Sequence, residues 1–283
     1  MAWARGNYAG ARELVEEAKD ILTAAGDRQV IIYVLIMLAR VDISQGAYSR
    51  ARMLLEESLS LAREVHDTFH IANALGHLAR VYFFSQGDTS TARSLYEEAL
   101  GLYRVFGPTW PSAYTQSDLS QVVLYQGDKN LASSLVEESL VHLREVGDQR
   151  DLARALIFSA DIPAFQGDYP AAHTLYAESL KLLIQVEDKQ YIAFGLERLG
   201  QVVAKQAEPA WAARLWGAAE MLRETMGSPM PPVYRPAYEQ AVAAARTQLG
   251  EKVFVAAWAQ GRTMTPEQVQ AAGDQVFLRA REP

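Results

Sequence analysis

The sequence predicts an all-α solenoid of stacked antiparallel helix pairs, and three observations carry that prediction. Glycine recurs at Gly6, Gly46, Gly87, Gly127 and Gly167, with spacings of 40, 41, 40 and 40 residues. Alanine stands five residues after each glycine (Ala11, Ala51, Ala92, Ala132, Ala172), and a larger apolar residue stands nine after it (Val15, Leu55, Tyr96, Val136, Tyr176). Whole phrases return, as in "QGDKNLASSLVEESL" from Gln126 and "QGDYPAAHTLYAESL" from Gln166. A fixed period in this range marks supersecondary units that stack because none buries its apolar face alone.

The chain opens on "WARGNYAGARELVEEA", the end of a first helix followed by a complete second helix. The partner first helix is missing, and a solenoid needs polar caps. The expectation is a piece of a longer protein, or an open end that packs on something; a lone helix capping a natural start is the alternative. Each later repeat reads as two helices of roughly 17 residues. The segment before the glycine is the first, as in "IANALGHLARVYFFS". The segment after it is the second, with Leu54, Leu55, Leu59, Leu61 and Ala62 on one face and Glu56–Glu57 on the other. Between repeats the chain turns on Gly26–Asp27 and Gly147–Asp148. Glycine suits the left-handed position after a helix and aspartate caps the next.

Two irregularities stand out. Leu38 to Gly46, Leu119 to Gly127 and Leu199 to Ala207 each span 8 residues, but Leu78 to Gly87 spans 9. The extra residue lies in "ARVYFFSQ" and predicts a π-bulge or a loosened last turn. Pro163 falls late in a first helix and predicts a kink.

The last second-helix pattern is "PAWAARLWGAAEMLRETMG", with Pro209 near its first position and Ala212 at the repeat alanine. "SPMPPVYRP" then breaks the period. Three further helices are expected, over about 235–249, 251–260 and 266–280. Thr265, Pro266 and Gln268 form a capping-box arrangement for the last. Trp216 and Trp258 are expected to pack these helices on the last repeat. The organisation is a repeat array over 1–225, of about five repeats with the first incomplete, and a helical cap over 226–283.

Bulk properties narrow the function. No apolar run in the 283 residues reaches membrane-spanning length; "VIIYVLIMLA" is only half as long as a span needs. "MAWARGNYAG" has no signal pattern. Cysteine is absent, which excludes disulfides, thiolate zinc sites and cysteine nucleophiles. The simplest address is a reducing cytoplasm. A net charge of −7 argues against a phosphate-tracking surface, hence against direct nucleic acid binding.

The repeat resembles a longer form of the tetratricopeptide repeat. The family's marks appear as Leu199–Gly200 in a first helix, Gly167–Asp168–Tyr169 at the turn and Ala172 in a second helix. The resemblance covers roughly residues 1 to 225 and implies a right-handed superhelix. The tail carries a second resemblance. Trp216–Gly217–Ala218–Ala219–Glu220, Pro231–Pro232, Tyr238–Glu239, Leu249–Gly250–Glu251 and Ala257–Trp258 resemble the segment closing the repeats of LuxR-type or AfsR-like bacterial ATPase regulators. In those proteins an AAA-like or NB-ARC-like ATPase precedes the repeats, and many end in a helix-turn-helix. The resemblance implies a sensor or arm module, not that this chain binds DNA or ATP.

Catalytic chemistry finds no foothold. Neither G-x-x-x-x-G-K-[ST] nor G-x-S-x-G occurs. His66 and His70 with Asp67 form the best metal candidate, but His66 aligns with Gly26, Gly107 and Gly147, so the pair straddles a turn. The acidic pairs Glu16–Glu17, Glu56–Glu57, Glu97–Glu98 and Glu137–Glu138 recur at the period, as a solvated face does. No cofactor, metal or enzyme activity is expected.

The tetratricopeptide resemblance registers the first-helix residues that line a concave groove. One position reads Tyr33, Asn73, Tyr114, Arg154 and Phe194. A second reads Ile36, Gly76, Ser117, Ile157 and Glu197, and a third reads Arg40, Arg80, Gln121, Asp161 and Gln201. They vary where structural positions repeat, and they mix aromatics, charge and amides as binding surfaces do. The expected function is a non-catalytic sensor module of a bacterial signal-responsive transcriptional regulator. Its groove would bind a protein, a peptide or a small-molecule effector, and it would work with ATPase and DNA-binding domains of a parent protein. The alternatives are a stand-alone scaffold for protein–protein interaction and a module that self-associates through its open N-terminal end. Arg80→Ala or Tyr114→Ala is expected to alter binding with little loss of stability.

Overall fold

The computed structural model describes residues 7–25, 27–107 and 109–271. All regular structure among them is helical. In chain order the helices are α1 (Tyr8–Ala25), α2 (Arg28–Ser44), α3 (Tyr48–Glu64), α4 (Thr68–Gln86) and α5 (Thr89–Tyr103). There follow α6 (Trp110–Tyr125), α7 (Lys129–Val146), α8 (Gln149–Gln166), α9 (Tyr169–Gln185), α10 (Lys189–Lys205) and α11 (Pro209–Met226). Last come α12 (Arg235–Leu249) and α13 (Glu251–Arg262), with short 3-10 turns at Arg104–Phe106 and Pro232–Tyr234. The expected turn glycine Gly26 and the part of the final helix beyond residue 271 lie outside the described residues. Residues 266–271 are helical, and Thr265 and Gln268 exchange the capping-box hydrogen bonds at 3.3 and 2.9 Å.

One device starts six of the thirteen α-helices α1–α13 among the described residues. Asp27, Asp67, Asp88, Asp128, Asp168 and Asp188 each accept the N–H three residues on, at 3.0 to 3.2 Å. Each satisfies a donor that the first helical turn leaves open. Left-handed residues end the helices: Gly46, Gly87, Gly127, Gly147 and Gly167, but also His66, Glu187 and Ala207 at φ of 56°, 54° and 65°. That conformation costs a residue with a β-carbon roughly 1–2 kcal/mol. Packing of the flanking helices therefore imposes the turn even where the sequence lacks glycine.

The π-bulge expected in the second repeat is absent. α4 is α-helical to Gln86, and the N–H groups of Gly87 and Asp88 bond the carbonyls of Phe83 and Tyr82 at 3.0 and 3.4 Å. The extra residue lengthens the last α-turn, which Gly87 closes in the left-handed conformation. Pro163 sits inside α8, which continues to Gln166.

The chain forms two compact units. The first comprises residues 1–148 with 228–234, and the second 149–227 with 235–283. In the first, α2–α3, α4–α5 and α6–α7 pack as pairs, and α2, α4 and α6 stand side by side. Ala51, Ala92 and Ala132 are fully buried where the helices of each pair cross. Leu55, Tyr96 and Val136 fill the layer one turn further on. Ser58 and Ser139 each donate to a carbonyl 26 residues back, Ile32 and Ala113, at 3.2 and 2.7 Å. Ser179 repeats this strut onto Ala153 at 2.6 Å in the second unit.

In the second unit α8–α9 and α10–α11 pair, and α12 and α13 pack on α11. Close approach depends on glycine here. A β-carbon at Gly200 would lie 2.3 Å from Trp216 Nε1, and one at Gly261 would lie 2.0 Å from the Arg214 carbonyl oxygen. Trp216 is fully buried between Gly200 and the Tyr238 ring, 5.9 Å away. Trp258 Nε1 donates to Glu220 at 2.7 Å. Both tryptophans join the closing helices to α10 and α11, as their positions predicted.

Candidate functional site

The first-helix residues divide into accessible side chains and buried polar nodes. In the first unit the position of Tyr33, Asn73 and Tyr114 stays accessible: Tyr33 is 49% exposed, and Asn73 and Tyr114 are half-buried. The Tyr114 ring lies 5.7 Å from Trp110, itself half-buried, and 6.1 Å from His77. Arg40 is also half-buried, with Nη1 3.6 Å from Met37 Sδ. At the second position Ile36 is buried and Gly76 half-buried. Ser117 is buried at that position and Gln121 at the third; the Ser117 hydroxyl and both Gln121 amide atoms make no hydrogen bond among the described residues.

Arg80 is not a free cation. It is buried, its Nε lies 3.1 Å from Asp118 Oδ2, and Tyr96 donates its hydroxyl to the same carboxylate at 3.3 Å. Its guanidinium carbon sits 4.6 Å from the Tyr114 ring centroid and 5.8 Å from that of Phe84. The expectation that Arg80→Ala spares stability is therefore corrected. Removing one partner of a buried ion pair costs about 3–5 kcal/mol.

In the second unit Arg154, Phe194, Ile157, Glu197 and Asp161 are all buried, and Gln201 is half-buried. Arg154 Nε lies 3.3 Å from Asp151, and its guanidinium carbon lies 5.4 Å from the Phe158 ring centroid. Glu197 is clamped by Arg223 of α11 at 2.6 and 2.8 Å. Its backbone carbonyl accepts from Trp216 at 3.2 Å and from Gln201 at 3.4 Å. Burial pushes the nearby Tyr238 phenol far up, with the Glu197 and Glu220 carboxylates adding to the effect, so it stays protonated. Asp161 accepts the Tyr176 hydroxyl and faces Arg198 at 3.7 Å, and Arg198 lies 5.0 Å from the Phe194 ring centroid.

These contacts reveal a relation that groove register alone misses. Arg80 and Asp161 share one register position, Asp118 and Arg198 share another, and Tyr96 and Tyr176 share a third. The two units contain the same node of cation, carboxylate and tyrosine with the charges exchanged. Asp118 and Arg198 were overlooked because each reads as a surface charge. The signal was the opposite sign at matched positions two repeats apart.

The remaining candidates behave as ordinary surface. His66 holds the left-handed turn, and His70 Nδ1 lies 2.8 Å from Asp67. Glu56, Glu57, Glu97, Glu98, Glu137 and Glu138 are exposed. No described helix is long and apolar enough to cross a membrane.

Comparison with known proteins agrees with this architecture. The family model for the tetratricopeptide repeat matches residues 1–64 and 70–145. A search of curated proteins finds no match. Among solved structures, the Rap protein complexed with competence and sporulation factor is similar at a TM-score of 0.59 and 14% identity, covering 93% of this chain and 81% of that one. BtubC (BKLC) from P. vanneervenii gives a TM-score of 0.55 at 19% identity, covering 79% of this chain and 92% of that one. A Signal Transduction ATPase with Numerous Domains (STAND) protein with a tetratricopeptide repeat sensor, from Pyrococcus horikoshii, gives 0.54 at 14% identity. The match covers 96% of this chain and 42% of that protein. At these identities the likeness is one of fold. The chain carries tetratricopeptide repeats in an all-helical, solenoid-type architecture.

Proposed function

We propose that this chain is a non-catalytic binding module of a bacterial signal-responsive regulator, whose input is a peptide or protein segment on the first-helix face of the first unit. One observation carries the reading. The first-helix residues Arg80, Arg154, Asp161 and Glu197 are buried in ion-paired nodes, whereas Tyr33, Asn73 and Tyr114 at one register position remain accessible. Two aromatic rings and an amide in a row offer stacking and hydrogen bonding at little conformational cost. Tetratricopeptide arrays are interaction scaffolds, and the relatives in fold include a Rap protein crystallised with a factor and a STAND sensor. The resemblance of the closing segment extends the reading to a cytoplasmic transcriptional regulator with ATPase and DNA-binding domains. Occupancy would act by favouring one conformation of the array.

The test is a thermal-shift screen of short peptides, with hits measured by calorimetry. A ligand at 100 times its dissociation constant adds about 2.7 kcal/mol of stability. Tyr114→Ala and Tyr33→Ala should each weaken a hit at least ~10-fold, with Tyr33→Ala costing the free protein about 1 kcal/mol or less and Tyr114→Ala, which also removes the ring over buried Arg80, about 2 kcal/mol. A hit that neither variant weakens would overturn the assignment. Self-association is a second reading, favoured by Leu14 of α1, which is 64% exposed. A molar mass independent of concentration in light scattering, unchanged by Leu14→Glu, removes it.

A further inference from the structure

Between α11 and α12 the chain reads Ser228-Pro229-Met230-Pro231-Pro232-Val233-Tyr234, and this segment packs within the first unit. It runs across successive repeats. The Ser228 hydroxyl donates to the Ser44 carbonyl at 2.7 Å, at the end of α2. Pro229 covers the first turn glycine, where a β-carbon on Gly46 would lie 2.8 Å from the ring. Val233 stands over the second, 3.7 Å from where a Gly87 β-carbon would be. Tyr234 ends the segment. Its ring centroid lies 6.1 Å from Phe83, 5.7 Å from Phe84 and 6.1 Å from Tyr125, and only 3% of the residue is exposed.

The receiving residues form a row of their own. Ser44, Phe84 and Tyr125 stand one helical turn beyond Arg40, Arg80 and Gln121, at the C-terminal ends of α2, α4 and α6. The occupant has the properties of a peptide ligand rather than of a spacer. Three prolines restrict its backbone before it docks, so little entropy is lost on docking. One aromatic side chain enters an aromatic slot, and a hydroxyl reads a main-chain carbonyl. A loop needed only to join two helices requires none of these.

We propose that the rim formed by the ends of α2, α4 and α6 is a recognition surface for a proline-rich segment ending in tyrosine. Ser228–Tyr234 occupies it in cis, and a partner protein carrying a segment of the same chemistry displaces that occupant. Covalent attachment gives the internal segment an effective concentration of the order of millimolar, so the rim is closed to weak competitors and opens to strong ones. The inference concerns a different row from Tyr33, Asn73 and Tyr114 and stands or falls separately.

The probe is a fluorescein-labelled peptide of sequence SPMPPVY, read by anisotropy against the full chain. Tyr234→Ala removes the internal anchor, and the paired change Pro231→Gly with Pro232→Gly loosens the segment while keeping Tyr234. Circular dichroism and thermal melting establish that each variant is folded. We expect the peptide to bind a folded variant at least 10-fold more tightly than the wild type. Adding Tyr125→Ala should abolish that binding, peptide SPMPPVA should not bind, and Tyr114→Ala should leave the affinity within twofold. If one variant does not fold, the other decides. Affinity no greater than wild type in the folded variants, or equal binding of SPMPPVA, would overturn the proposal and leave the segment a purely structural strap.

Discussion

At Gln121 a register position lacks the partners it has in the repeats on either side. Arg80 and Asp161 occupy equivalent sites and are satisfied by Asp118 with Tyr96 and by Arg198 with Tyr176. In the repeat of Gln121 the tyrosine position holds Val136, which has no hydroxyl. The amide is 2% exposed and makes no hydrogen bond among the described residues. A buried polar group without a partner costs about 1–3 kcal/mol, whereas an apolar side chain of similar shape carries no such penalty. Gln121→Met should therefore raise the unfolding free energy by about 1 kcal/mol, read as a higher denaturant midpoint at unchanged slope. A lower midpoint would mean that the buried amide stabilises the fold.

At the scale of helices, the exchanged nodes make a stronger claim: the site between neighbouring first helices specifies a charge pair but not its direction. Either single substitution, Arg80→Asp or Asp118→Arg, places two like charges in a buried site. Each should cost several kcal/mol, in the range of about 3–5 found when a buried pair is broken. Arg80→Asp together with Asp118→Arg reproduces the arrangement of Asp161 and Arg198, with Tyr96 standing where Tyr176 stands. The double variant should recover most of the loss, a coupling measurable by a double-mutant cycle in urea. Additive losses would show that the two nodes differ in more than sign. The same nodes explain what was legible. Glycine and alanine announced the repeat because turns and helix crossings tolerate few residues, and Leu199–Gly200 signalled the close approach of Trp216. The resemblance picked out register positions on the first helices, but exposure differs along each of them. Arg80, Ser117 and Glu197 vary in type yet are buried, because a polar residue can serve structure when a neighbouring helix supplies its partner. That partner lies about one repeat away in sequence.

For the whole chain, periodicity is both the source of legibility and its limit. Within each compact unit a repeat touches chiefly its neighbours, so a pattern read in one repeat transfers to the next, and stability there is approximately a sum of local and nearest-neighbour contributions. Ser228–Tyr234 escapes this logic. It has no period, and its contacts with Ser44 and Tyr234's slot join residues far apart in the chain, so only the folded structure shows where it lies. The extra residue of the second repeat is a milder case: spacing located it, but whether it would bulge or extend the helix depended on Gly87 closing the last turn. Nearest-neighbour stability can be tested inside the first unit. Leu55 is fully buried in the core shared by α2, α3 and α4, where Ile32, Ile36, Leu75 and Leu78 cluster with it. Leu55→Ala should cost about 2–5 kcal/mol for the lost contact and the cavity. Hydrogen exchange read by mass spectrometry should show faster exchange throughout α2, α3 and α4, with amides of α7 shifted far less, because local openings follow local packing. Equal acceleration in α7 would mean that the unit opens as one cooperative body and that its repeats are periodic in sequence without being independent in energy.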